Sequence, residues 1–593
     1  MIKENIAKMQ TLMKENGIDI YIIPTSDFHQ SEYVGEYFRG RKFLSGFTGS
    51  AGTLVISLDE ARLWTDGRYF IQAEQQLAGS GIILMKMAMP GVPTIKEYLD
   101  QNTDKTVGFD GRVMSYQEVA RLSNKLITDV DLVDEVWSER PSISHEPAFI
   151  YDEEYCGESR ASKLARLRSA MGDCQHHIIT SLDDIVWLFN IRGNDVDCNP
   201  VVLSYALINQ DNAILYVQDN VVDVKTEAIL KRDSIIIRAY NDIYEDVKKL
   251  TGKVLLDDQI VNYQIFNNLN CEIKTAPNPT QHFKAIKNET EIKATKNAHI
   301  KDGVAMTKFM YWLKNNVGKI ELDEVTISDK LAAFRKEQNE FFDLSFDTIC
   351  GYKANAALMH YKAEPGNCAK VTNEGMLLID SGGQYLDGTI DTTRTFVLGP
   401  ISDIERRDFT VALKAMFRLQ ATHFLAGTTG PNLDLLARGI VYEYNLDYRC
   451  GTGHGVGHFL NVHEGPNGFR PHDRPGFAKM CAFEPGMITT DEPGIYLSLI
   501  HISEPGIYIE NSHGVRHENE LLCVEVETNE YGQFLKFEPI TMVPFDLDGL
   551  DLELLSNHEI KQINDYQQLV FDHVAPFLTN EERAWLQANL LIK

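Results

Sequence analysis

No stretch of the chain approaches the roughly 18 consecutive apolar residues of a membrane-spanning helix, and its amino terminus, MIKENIAKMQTLMKENGID, starts as an amphipathic helix without the apolar core of a secretion signal. A cytoplasmic protein is expected. Basic charge is also in short supply: 57 Lys and Arg against 85 Asp and Glu leave a formal charge of −28, which disfavours nucleic-acid backbones and anionic membrane surfaces as partners. The nine cysteines are odd in number and scattered from Cys156 to Cys523 without a C-x-x-C pair. Neither a disulfide framework nor a zinc ribbon is indicated, and reduced, mostly buried thiols are expected. The glycine run GTGHGVG lacks the third glycine of G-x-G-x-x-G spacing from either Gly451 or Gly453, so a dinucleotide loop is excluded. Low-complexity segments are absent, and one short duplication is the only repeat.

What is present suits a large enzyme. An apolar content of 44% over 593 residues is ample for the cores of about three or four domains. Strand patterns at Ile18 to Ile23, Thr53 to Ile56 and Ile82 to Lys86 predict a first α/β domain, residues 1–150, closing near Pro141 to Pro147. A second domain of similar size, residues 151–287, repeats the mixture with strands at Ala213 to Val217 and Val254 to Leu256, which suggests duplication. Asn288 with Glu291 reads as a helix cap, and Met306, Met310 and Leu313 mark one face of a long helix opening the region 288–540. Residues 541–593 read as a short helical extension for packing or dimer contact. In the first domain, Asp66, Arg68 and the SGFTGSAG glycines are most economically structural or interface residues.

The chemistry is concentrated downstream. In LLIDSGGQYLDGTIDTTRTF an apolar run, Met376 to Ile379, ends on Asp380, glycines turn the chain, and a β-rich run follows from Thr389 to Val397. Folded as a hairpin, this segment brings Asp380 and Asp391 together as two hard carboxylate ligands. GTGHGVGHFLNVHEGP adds His454, whose glycine neighbours let backbone pass close to a site. DEPGIY and HGVRHENELLCVEV supply a glutamate each, the second being Glu518 on an alternating, strand-like stretch. Arg394 and Arg516 lie close to these acids and are expected to form structural salt bridges. His517, on a strand, should point away from the face carrying Arg516 and Glu518.

The ordered set of Asp, a second Asp eleven positions on, then His, Glu-Pro-Gly and Arg-x-Glu resembles the pita-bread metallopeptidases, most closely the three-domain Xaa-Pro aminopeptidases. LWTDGRYFIQA and LDDIVWLFNIRGNDVDCNPV resemble signature stretches of that family's first two domains. The resemblance implies two creatinase-like α/β domains, a pita-bread catalytic domain of the α+β kind and the short helical extension. It further implies two metal ions, usually Mn²⁺, held by Asp380, Asp391, His454, Glu518 and one Glu-Pro-Gly glutamate. His360 and His463 match two further active-site histidines that contact substrate and the reacting centre. Short peptides with proline in second place are the implied substrates, and a homodimer the implied assembly. Two rivals remain, a prolidase acting on Xaa-Pro dipeptides and a pita-bread binding protein without catalysis.

Chemistry alone leads the same way. Four carboxylates and an imidazole suit manganese or cobalt better than a thiophilic metal, and two such ions roughly 3.5 to 4 Å apart share a water whose pKa they lower. A glutamate then acts as general base, and His463 or His360 stabilises the oxyanion or helps the leaving nitrogen.

EPGIY occurs twice, beginning at Glu492 and at Glu504. Family spacing places the two glutamates fourteen residues apart, which Glu504 satisfies against Glu518, whereas Glu492 lies twenty-six away. Yet Glu492 directly follows the strand-like GMITTD, and removing the twelve residues Leu497 to Tyr508 restores the fourteen-residue spacing. Glu492 is therefore favoured as ligand and base. LSLIHISEP is what CTGTCTCTTATACACATCTCCGAGCCC encodes, a string resembling a transposase adapter of sequencing libraries, which makes the insert a candidate assembly artefact.

Overall fold

In a computed structural model of the chain the described residues are 2–359, 361–448, 450–472, 481–496 and 513–592. Packing divides the chain into two compact units, Met1–Tyr151 with Glu158–Thr280, and Asp152–Gly157 with Gln281–Lys593.

The first unit contains two six-stranded sheets of one topology. In spatial order the first runs Ile82–Lys86, Ala61–Thr65, Thr53–Ser57, Ile20–Pro24, Thr106–Gly108, Lys125–Ile127. The second runs Ile235–Ala239, Ala213–Val217, Ser204–Asn209, His176–Ile179, Lys253–Leu256, Glu272–Thr275. Both sheets pair in the sequence parallel, antiparallel, antiparallel, parallel, parallel, and this identity of order and direction supports duplication more strongly than size does. The strand Ile20–Pro24 shows why the pattern works: Ile20 and Ile22 enter one core, Tyr21 and Ile23 the other, as the twofold side-chain period requires of a strand covered on both faces. Asp66 and Arg68 are structural here, the aspartate capping a short helical turn and pairing with the arginine at 2.7 Å.

The second unit begins with the helix Glu289–Asn316. Asn288 and Glu291 form the expected capping box, and Met306, Met310 and Leu313 are all buried. A three-stranded antiparallel sheet, Ile349–Tyr352, Met376–Ser381 and Thr392–Val397, packs near a six-stranded one whose central strands are Asn519–Asn529, Ile488–Asp491 and Gly453–Gly455. The carboxy-terminal helices Asn557–Val574 and Asn580–Ala588 are not an appendage: Ile563, Tyr566, Val570 and Leu586 share one core with Phe409, Leu413 and Phe417 of the helix Asp403–Gln420. The expectation of mostly buried cysteines is corrected: four of the nine are buried and five are partly exposed, none in a disulfide.

Candidate metal centre

The hairpin expected around Asp380 forms, with Asp380 opposite Thr393 and Ser381 opposite Thr392. Asp391 immediately precedes the returning strand. The link between them is itself a small hairpin, Gly383–Tyr385 against Gly388–Thr389. Gly382 is required there, because a Cβ at that position would lie 1.7 Å from the Ile390 carbonyl oxygen. Gly453 has the same constraint beside His454, with the Thr490 carbonyl 1.8 Å from any added Cβ. Glu492 follows the strand Ile488–Asp491, and its N–H donates to Thr452 at 2.8 Å. Glu518 departs from the strand expectation: it sits in the gap between the strands Gly514–Arg516 and Asn519–Asn529.

Tertiary folding brings the five residues together. Asp380, Asp391 and Glu518 each present an oxygen, and His454, Glu492 and Glu518 each present a ligand atom, such that the atoms of either set lie within 4.8 Å of one another. The two sets share Glu518. His454 Nε2 is 3.4 Å from Asp391 Oδ2 and 3.6 Å from Glu492 Oε1. Its Nδ1 donates to the Gly455 carbonyl at 2.9 Å, which leaves the Nε2 lone pair facing the carboxylates.

His463 stands against His454, ring centroids 4.3 Å apart and edge to face, and forms a third set with Asp391 and His454. His360, Glu504 and the insert Leu497 to Tyr508 lie outside the described residues.

The electrostatics call for cations. Burial, opposed by the contact with His454 and reinforced by Asp380 and Glu492, pushes the Asp391 carboxyl up to about 6. Burial and then Asp391, Glu492 and Asp380 push Glu518 well above the carboxylate range. Burial alone would lower His454, yet Asp391 and Glu492 raise it to about 9. Crowded, desolvated carboxylates of this kind resist ionising together unless positive charge joins them. Among the described residues no hydrogen-bond partner is found for two buried oxygens, Asp380 Oδ1 and Glu518 Oε1, while their sister atoms are held by Arg516 and by Thr393 Oγ1, the latter at 2.7 Å. Each carboxylate is thus tied through one oxygen and leaves the other for a ligand, so the donor set fits a pair of divalent ions.

Arg516 forms the expected salt bridge, whereas Tyr496 and Glu520 are site residues that the sequence reading does not single out. Arg516 joins Asp380, Thr393 Oγ1 at 3.0 Å and the Tyr496 hydroxyl at 2.6 Å. Its salt bridge is within the site. Tyr496 carried a signal, since it ends the EPGIY that also supplies Glu492. Glu520 accepts the Asp391 N–H at 2.8 Å and lies 3.2 Å from His299 Nε2; its only sequence trace is the alternation after Glu518. Arg394 corrects the salt-bridge expectation, because the partners found for it are backbone carbonyls, Asn519 and Tyr566. His517 turns away from the site, its ring 4.4 Å from that of Phe409.

Comparisons with known proteins agree with this geometry. The Creatinase/Prolidase N-terminal domain matches residues 5–139 and again 139–291. Metallopeptidase family M24 matches residues 293–525, and the C-terminal region of peptidase M24 matches 533–590. A probable Xaa-Pro aminopeptidase P of Talaromyces marneffei is 39% identical over 98% of this chain and 91% of its own length. One of Pyricularia oryzae is 38% identical over 98% of each. The crystal structure of X-prolyl aminopeptidase from Caenorhabditis elegans, described as a cytosolic enzyme with a di-nuclear active site, superposes with a TM-score of 0.91 at 31% identity, covering 100% of this chain and 99% of that one. A hairpin aspartate pair, a glycine-flanked histidine and two strand-end glutamates, carried on two creatinase-like domains and an M24 domain, make this chain a member of the Xaa-Pro aminopeptidase P family of M24 metallopeptidases.

Proposed function

We propose that the chain removes the amino-terminal residue from short peptides with proline in second place, using two divalent ions held by Asp380, Asp391, His454, Glu492 and Glu518. The observation that carries the reading is the convergence of four carboxylates and one imidazole, with two of the carboxylate oxygens lacking a partner among the described residues. An oxygen-rich set favours manganese. When bound, the ion pair supplies a shared water of lowered pKa as nucleophile and polarises the scissile carbonyl.

The chain's own groups do the rest. Glu492 is the most accessible of the set, its side chain 24% exposed against 11% for Asp380 and 6% for Asp391, so it is the carboxylate placed to take a proton from an entering water and pass it on. His463, packed edge to face on His454, donates to the developing oxyanion or to the leaving proline nitrogen. Arg516 holds Asp380 in position, and Tyr496 holds Arg516. The cytosolic description of the C. elegans relative and the absence of a membrane-crossing helix among the described residues support a cytoplasmic location.

The test is hydrolysis of Arg-Pro-Pro and of Xaa-Pro dipeptides by metal-stripped protein resupplied with Mn²⁺. Cleavage of the tripeptide only on resupply is expected. Cleavage confined to dipeptides would identify a prolidase, and cleavage of neither a binding protein.

A further inference from the structure

Among the described residues of the second unit four arginines are buried, and three of them meet a carboxylate: Arg335 with Asp302 at 2.7 Å, Arg438 with Asp434 at 2.7 Å, and Arg516 with Asp380. Arg394 is different. It is fully buried, and the acceptors found for its guanidinium are neutral. Nε donates to the Pro544 carbonyl at 3.2 Å, Nη1 to the carbonyls of Thr393 at 2.9 Å and Glu518, and Nη2 to the Val543 carbonyl at 2.7 Å, Asn519 Oδ1 at 2.9 Å and the Tyr566 hydroxyl at 3.0 Å. The plane lies 3.8 Å from the Phe545 ring centre.

A buried cation without a counter-ion is expensive, and carbonyl dipoles offset that only when closely arrayed. Those carbonyls come from two places. Thr393 and Glu518 belong to the metal centre, where the Glu518 N–H donates to the Thr393 carbonyl at 3.2 Å. Because Glu518 sits in a break between strands, its own carbonyl has no place in a strand ladder and needs another donor. Val543, Pro544, Phe545 and Tyr566 belong to the carboxy-terminal region. Tyr566, on the helix Asn557–Val574, lies 3.1 Å from Asn519 Oδ1, 2.9 Å from the Thr541 carbonyl and 3.0 Å from that of Val543.

We infer that Arg394 is a positioning residue that fixes the backbone of Glu518, and that the carboxy-terminal region, through Tyr566, holds Arg394 to that task and so sets the metal affinity of the centre. The inference rests on the metal-centre reading above. It gives residues 541–593 a part in building the site as well as covering a core. Support of this indirect kind typically alters metal affinity by 10- to 100-fold.

The experiment is calorimetric titration of the full, metal-stripped chain with MnCl₂, comparing Tyr566→Phe with Gln567→Leu. Gln567 is a control for stability: it exchanges hydrogen bonds with the backbone of Phe545 at 2.9 and 3.2 Å, so its loss disturbs the same carboxy-terminal packing without removing a group bonded to Arg394. Tyr566→Phe is expected to weaken Mn²⁺ binding at least tenfold, with kcat recovering at excess Mn²⁺. Its metal-free melting temperature should fall no further than that of Gln567→Leu. Equal Mn²⁺ affinity in Tyr566→Phe and in the unaltered chain overturns the inference alone. Failure of the unaltered chain to take up Mn²⁺ overturns the metal-centre reading and this inference with it.

Discussion

His454 Nε2 lies 3.4 Å from Asp391 Oδ2 while its other ring nitrogen donates to the Gly455 carbonyl. One residue faces inward and is steered from behind, the arrangement that fixes a histidine tautomer at a metal. Asp391 is in turn steered through its N–H by Glu520.

Asp391→Asn should therefore lower Mn²⁺ affinity by at least 100-fold, more than the loss of a supporting residue, and abolish peptide cleavage. Metal-free stability should move the other way. Burial first, and then Asp380 and Glu492, push the Asp391 carboxyl up to about 6 against the pull of His454, so a neutral amide removes both the desolvation cost and the repulsion, and the melting temperature of the stripped variant should equal or exceed that of the unaltered protein.

Glu520→Ala should reduce kcat 10- to 100-fold, because it leaves the Asp391 N–H buried without its acceptor. Glu520→Gln keeps an acceptor oxygen and should recover much of the loss. Steady-state kinetics at saturating Mn²⁺ checks both.

The duplicated EPGIY makes a contrast available. Glu492→Gln should eliminate turnover and Glu504→Gln should leave it unchanged, since Glu492 stands within the cluster beside His454. Removal of Leu497 to Tyr508 should preserve or raise activity, and resequencing of the source DNA should lack those twelve codons.

Acid sensitivity should arise within the first unit. His177 is wholly buried in the second sheet, its Nδ1 donating to the Leu255 carbonyl at 3.0 Å, and burial lowers its pKa to about 4 from the ordinary 6.5. The unfolded chain then binds the proton more readily, so the stability His177 contributes is full above pH 6.5 and is lost as pH falls towards 4. A shift of this size corresponds to about 3 kcal/mol. Denaturant unfolding between pH 7 and 4 should show that slope, and His177→Gln should flatten it.

Much of the architecture is legible in one dimension because its causes are local. Alternation and apolar runs mark Ile82–Lys86 and Ala213–Val217 to the residue, and the Asn288 cap with its buried Met306, Met310 and Leu313 follows from short-range hydrogen bonding and helical period. Glycine at 382 and 453 likewise reflects a close backbone approach that any side chain would block.

Other features depend on what lies across the fold. The identical strand order of the two amino-terminal sheets is invisible in their residues, because sheet order is set by long-range pairing. Arg394 and Arg516 look alike beside acidic neighbours, yet among the described residues the first meets neutral acceptors and the second Asp380. Residue type and order along the chain by themselves pointed to the family, the fold class and four of the converging donors, and narrowed the fifth to two Glu-Pro-Gly glutamates, since a donor set is a matter of chemistry and order along the chain. Only the tertiary structure decided which oxygen of each carboxylate is held and which is left without a partner, and which distant groups, Glu520, Tyr496 and Tyr566, support the donors: hydrogen-bond geometry is a property of approach in space, and sequence separation carries no trace of it.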